Sequence, residues 1–142
     1  MNRRLIIASG YFNPLHKGHI DYLRKSKELG GDLLVIVNND LQVKLKGSKE
    51  FQNEEERKYI IQNLSCVDYV VISIDTDRSV SKTIEEIDKD MGHIYNSMIF
   101  TNGGDQTKDI ILEYDVCDRL GIHLVDKLGD KIQSSSWLKD KL

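Results

Sequence analysis

The sequence predicts an α/β protein: a five-stranded parallel sheet with helices on both faces, built as one domain over residues 1–142. Three observations point there. Five short apolar runs alternate with stretches of helical spacing, the pattern of repeated β-α units. The strand ends are punctuated by glycine, asparagine and aspartate, which favour turns. At 142 residues the chain is long enough for one hydrophobic core and short for two.

The elements follow in order. Leu5–Ala8 is a short apolar run closed by Ser9-Gly10 and reads as a buried strand. A turn holds Gly10, Asn13 and the only proline, Pro14. A helix starts near Gly18, with Ile20, Leu23 and Leu29 on one face. Leu33–Val37 is a second strand, introduced by Gly30-Gly31-Asp32. Glu54–Leu64 reads as a helix with Asn53 as N-cap and Tyr59, Ile60 and Leu64 turned inward. A third strand lies within Val67–Ile74. Val80, Ile84 and Ile87 give Val80–Met91 helical spacing. Met98–Phe100 is a fourth strand ending at Thr101-Asn102-Gly103-Gly104. Ile110–Leu120 is helical, Ile122–Val125 is a short fifth strand, and Ser134–Leu142 is a last helix. No repeat, linker or low-complexity segment interrupts them.

Composition excludes several classes. The chain is 39% hydrophobic and 30% charged, ordinary for a globular protein. A net charge of −3 argues against a general nucleic-acid binder, which needs a clustered basic face. No apolar run approaches the ~20 residues of a membrane span, and the run after Arg3-Arg4 is too short for a signal peptide. A cytoplasmic protein with no membrane or nucleic-acid partner is expected. Cys66 and Cys117 match no metal or redox spacing and read as reduced core thiols.

In open parallel sheets, ligands bind beyond the carboxyl ends of the strands. The loops 9–19, 38–47, 101–107 and 127–136 are therefore expected to share one site. The first holds two of the four histidines, His16 and His19, where a helix begins. A helix start presents unpaired N–H groups and a positive dipole end, so phosphates settle there. Residues three apart share a helix face, so both imidazoles can donate to one anion. Gly18 leaves room for a ligand, and Gly10 lets the loop turn. No cysteine or carboxylate adjoins the pair, which argues against zinc. Lys44 and Lys46 follow the second strand; exposed lysines are usually solvated, but at the ligand edge they would also offer compact positive charge to an anion. Ser134 is a natural N-cap, and Ser134-Ser135-Ser136 adds hydroxyls to a helix start.

These residues carry a resemblance. His16-Lys17-Gly18-His19 fits the HxGH signature of the nucleotidyltransferase superfamily, and GYFNPLHKGH resembles its G-x-F-D-x-x-H-x-G-H form. The group is the cytidylyltransferase-like one. It includes glycerol-3-phosphate and ethanolamine-phosphate cytidylyltransferases and the adenylyltransferase domain of ADP-heptose synthesis. VNNDLQVKLKG is similar to its V-N-S-D…K-G segment, Glu-Glu-Arg57 to its E-x-R, Gly103-Gly104-Asp105 to its G-G-D loop, and Ser134–Ser136 to its S-T-[TS] motif. Asn102 replaces a lysine of the heptose enzymes, Gln106 a frequent aromatic, and Ile132 a usual glycine. No arginine precedes the serine run, though Lys127 or Lys131 stands near it. The likeness runs from Leu5 to Leu138 through these motifs in order.

The resemblance implies a Rossmann-like fold and a nucleotidyltransferase. Its products would be pyrophosphate and CMP or AMP joined to a phosphorylated small molecule, from CTP or ATP. His16, His19 and Lys46 would be catalytic. Gly10, Tyr11, Phe12, Lys44, Arg57, Gly103, Gly104, Asp105, Ser134, Ser135 and Ser136 would bind the nucleotide, and Asp40 the acceptor. Mg²⁺ and a homodimer are also implied. The alternative is a non-catalytic nucleotide sensor on the same fold.

Overall fold

In the computed structural model, residues 3–103 and 111–125 are described. Five strands run through them: β1 (Arg4–Gly10), β2 (Asp32–Val37), β3 (Tyr69–Ile72), β4 (Ser97–Thr101) and β5 (His123–Val125). Every neighbouring pair is parallel, and the order across the sheet is β3-β2-β1-β4-β5. The chain first builds outward through β2 and β3, then returns to β1's other side for β4. Ala8 of β1 is thus in register with Val35 on one side and Thr101 on the other. The order reverses at β1 and β4, and a crevice opens there beyond the strand ends.

The apolar runs become strands because both faces are covered. Ile6, Ala8, Leu33, Val35 and Val37 pack with Tyr22 and Leu23 of α1 (Lys17–Lys27) and Ile61 of α3 (Glu54–Gln62). Leu5, Ile7, Leu34 and Ile36 pack with Ile84 and Ile87 of α4 (Ser81–Met91) and with Val116 and Cys117 of α5 (Tyr114–Leu120). Alternate residues of β1 and β2 therefore serve opposite layers. Cys117 is buried, Cys66 is half-buried against the α1 and α3 layer, and both are free thiols.

Two expectations need correction. Tyr59 does not face inward: it is 65% exposed, and α3 buries Arg57 and Ile61 instead. A buried arginine disguises the inner face of that helix. The segment expected as the loop 38–47 contains a further helix, α2 (Asp40–Leu45). Its six residues are too few to show a period. It is held by Asn39, whose side chain accepts from Gln42 N, and by Gln42, whose side chain accepts from Asn39 N. The fully buried Gln42 also donates to the carbonyls of Asp77 and Ser79, at 2.8 and 2.7 Å. One amide thereby ties the loop after β2 to the loop after β3. The expected helix Ser134–Leu142 lies outside the described residues. No helix among those described is long and apolar enough to cross a membrane.

Candidate active site

The site begins with the turn between β1 and α1. His16 is the N-cap of α1, and its Nδ1 accepts from Gly18 N at 3.1 Å. His19 Nδ1 accepts from His16 N at 3.1 Å. The two imidazoles stack with centroids 3.7 Å apart. A nitrogen that accepts a hydrogen bond carries no proton, so each neutral ring carries its proton on Nε2. The two rings that close the helix start thus lie together, with their Nδ1 atoms committed to the caps.

The glycines here act differently from the sequence expectation. A Cβ on Gly18 would come within 3.0 Å of the His16 ring, so Gly18 makes room for the capping imidazole. A Cβ on Gly10 would lie 2.7 Å from Phe12 Cζ. Phe12 is buried in the left-handed region, at φ 51°, and its ring meets His19 edge-on at 5.2 Å. Gly10 therefore admits the ring that backs His19. The Asn13-Pro14 peptide bond is cis. Asn13 spans the next loop, accepting from Phe51 N and donating to Lys49 O.

A cavity of about 460 Å³ opens beside this turn. Its wall includes Gly10, Tyr11, Phe12 and His19 from the first loop, Asn38 and Lys46 from the second, and Asn102 and Gly103 after β4. Three of the four expected loops thus meet; loop 127–136 lies outside the described residues. Tyr22 lies in the wall, its hydroxyl donating to Thr101 O at 2.9 Å. Burial pushes that phenol up to about 12, against the opposing hydrogen bond from Thr101. Lys46 Nζ sits over the Tyr11 ring, 4.3 Å from its centroid, a cation–π contact.

The expected residues separate into groups. Gly10, Tyr11, Phe12, His19, Lys46 and Gly103 line the cavity, with His16 stacked on His19. Lys44 is exposed in the last turn of α2 and does not line the cavity. Gly104, Asp105, Ser134, Ser135 and Ser136 lie outside the described residues.

Arg57 takes a different role from the expected phosphate contact. Its side chain is 0% exposed. Nη1 donates to Tyr11 O and Asn38 O at 2.9 and 2.6 Å, Nε donates to Gln52 O at 2.9 Å, and Nη2 meets Asp40 Oδ1 at 2.7 Å. All three guanidinium nitrogens are spent on protein acceptors beneath the site. Arg57 fixes the first two loops relative to each other. Asp40, expected at the acceptor, is its counter-ion and does not line the cavity.

Two further wall residues carry no sequence signal. Arg78, in the loop after β3, lies in the wall close to the Tyr11 side chain. Glu113, just before α5, is buried and accepts from Val80 N at 2.9 Å. Burial raises its carboxyl above the usual range, and Asp75 and Asp77 add to the rise, while the Val80 N–H opposes it. Both residues reach the cavity only through the topology, from turns with no motif.

A five-stranded parallel sheet with helices on both faces and a crevice at its reversal point defines a Rossmann-like fold. The chain belongs to the cytidylyltransferase-like family, whose profile matches residues 7–132. It is 33% identical over 141 residues to the FAD synthase of Picrophilus torridus, covering 96% of this chain and 94% of that protein. It is 46% identical over 72 residues to the bifunctional protein HldE of Helicobacter pylori, covering 49% of this chain and only 16% of that one. The crystal structure of the lipopolysaccharide core biosynthesis protein from Thermoplasma volcanium superposes with a TM-score of 0.70 and 28% identity, over 91% of this chain and 98% of that one.

Proposed function

We propose that this protein transfers a nucleotidyl group, CMP or AMP, from CTP or ATP to a phosphorylated small molecule. An acceptor phosphate oxygen attacks the α-phosphorus, the bond from that phosphorus to the bridging oxygen breaks, and pyrophosphate leaves. The acceptor is ionised at neutral pH, so the reaction needs no general base, only positioning and charge stabilisation. The observation that carries this reading is the stacked His16–His19 pair, with both Nδ1 atoms consumed by caps and the ring protons on Nε2. Those N–H groups suit the α-phosphate as charge builds on it. Lys46, on the Tyr11 ring, supplies charge for the departing phosphates. Gly103 offers bare backbone beside the nucleoside.

Among the described residues, no three histidine, cysteine or acidic side chains converge on a metal position. Mg²⁺ would instead take oxygens from the triphosphate and water, which suits its reluctance to dehydrate, and would neutralise phosphate charge. Roles for Gly104, Asp105 and Ser134–Ser136 rest on the motif resemblance alone. Length favours residues 1–142 acting as one domain and the two free thiols a cytoplasmic location, while the resemblance implies a homodimer.

The full-length match to a FAD synthase brings ATP and a phosphorylated flavin among the candidates. Glycerol 3-phosphate, ethanolamine phosphate and sugar phosphates are the others. The deciding experiment measures pyrophosphate release from CTP and from ATP, with Mg²⁺, against this panel of acceptors. Release with one pair supports the proposal. Tight binding of a triphosphate with no release from any acceptor would favour the nucleotide sensor.

A further inference from the structure

Arg57 is buried and committed, so any second cation that meets an anion in the cavity must come from elsewhere. Arg78 is exposed in the cavity wall and makes no ion pair among the described residues. The acids around it have other partners. Asp77 accepts from the N–H and hydroxyl of Ser79, Asp75 from the N–H groups of Lys82 and Thr83, and Glu113 from Val80 N. The neighbour of Arg78 in the wall is Tyr11, a neutral phenol.

Tyr11 therefore stands between two cations. Lys46 lies over the ring face, and Arg78 stands in the same cavity wall. The loops that carry them are held in register by Gln42, through Asp77 O and Ser79 O on either side of Arg78. An in-line displacement needs two anion positions, one for the leaving pyrophosphate and one for the attacking phosphate. A single cation serves only one of them.

We propose that Arg78 binds the phosphate of the acceptor, with Lys46 serving the pyrophosphate end. A guanidinium suits this position because its fork matches two phosphate oxygens at once. The assignment rests on the nucleotidyltransferase reading, and it reaches beyond the motifs, none of which includes Arg78.

The test uses the full chain, saturated with Mg²⁺ and the α,β-methylene analogue of CTP or ATP, whichever binds. Inorganic phosphate is then titrated in by calorimetry. The wild type should show a saturable phosphate site, which Arg78→Gln weakens by about tenfold or more while analogue affinity stays within about twofold. Arg78→Lys should fall between, keeping charge without the fork. The side chain is exposed, so the melting temperature should not move. Absence of a phosphate site in the wild type, unchanged phosphate binding in Arg78→Gln, or an equal loss of analogue binding would each overturn the assignment. So would Tyr11→Phe reproducing the whole loss, since Arg78 would then act only by orienting that ring. If neither analogue binds the wild type, the transferase reading fails. Phosphate titrated into the unliganded protein and into Arg78→Gln then judges Arg78 by itself.

Discussion

His16 and His19 close the same helix start reciprocally. His16 Nδ1 accepts from Gly18 N, and His19 Nδ1 accepts the His16 N–H, with the rings 3.7 Å apart. Each histidine thus uses Nδ1 structurally and leaves the proposed chemistry to Nε2. The two are separable by substitution. His16→Asn keeps a side-chain acceptor at the N-cap, so its melting temperature should stay near wild type. Without the Nε2 donor, kcat should still fall about 10²–10³-fold. His16→Ala should show the same rate loss and also lose about 1 kcal/mol of stability with the cap. A kcat for His16→Asn equal to wild type would leave His16 as a cap alone.

Lys46 and Lys44 should behave unequally. Lys46 is in the cavity wall and Lys44 is exposed outside it. Lys46→Ala should weaken triphosphate binding by about tenfold, the scale of one lost charge-assisted contact. Lys44→Ala should stay close to wild type. Calorimetry with either triphosphate checks both, and equal losses would show that Lys44 also reaches the ligand.

Gly10→Ala should destabilise the protein by about 1–3 kcal/mol, the usual cost of overpacking. Its new Cβ would sit 2.7 Å from Phe12 Cζ, and that ring is buried. Phe12 also touches His19, so kcat should drop with stability. A urea midpoint equal to wild type would mean that Phe12 can repack.

Much of this was legible in the sequence, for a physical reason. Strands buried on both faces must be apolar runs, and helices packed on them must carry apolar stripes, so the five strands and the helices between them, α2 apart, were read in their order. The histidine pair was legible because its spacing is fixed by one helix turn. What escaped depends on contacts between distant segments. Arg57 looks like any charged helix residue until Tyr11 O, Asn38 O and Asp40 are seen around it. Gln42 conceals α2 for the same reason, since its partners lie some 35 residues on, at Asp77 and Ser79. Arg78 and Glu113 belong to no motif, and only the return of β4 beside β1 brings their loops to one cavity.

Arg57→Lys should be mainly a folding defect. A lysine offers one compact charge where the guanidinium serves four acceptors, so buried carbonyls lose their donors. The expected loss is about 3 kcal/mol, near the lower end for a disrupted buried pair. In the folded fraction, triphosphate affinity should change little. Strong loss of affinity at unchanged stability would instead return Arg57 to the phosphate.

Glu113 makes a prediction in which pH supplies the sign. Its carboxyl is buried and accepts from Val80 N. Burial, reinforced by Asp75 and Asp77, raises its folded-state pKa above the ordinary 4.5. The unfolded chain returns the group to that ordinary value. An acid with a raised folded pKa binds protons more tightly in the native state. Its favourable contribution is therefore complete below the unfolded value and is lost as pH rises through the folded one. Glu113→Gln keeps an oxygen for the Val80 N–H and cannot ionise. Measured by urea denaturation, the variant should gain on the wild type between about pH 4 and pH 7, with the gain concentrated above the ordinary carboxyl range. A stability difference flat across that interval would mean that Glu113 titrates in the native protein as it does in the unfolded chain, and that its charge is not held against a cost of burial.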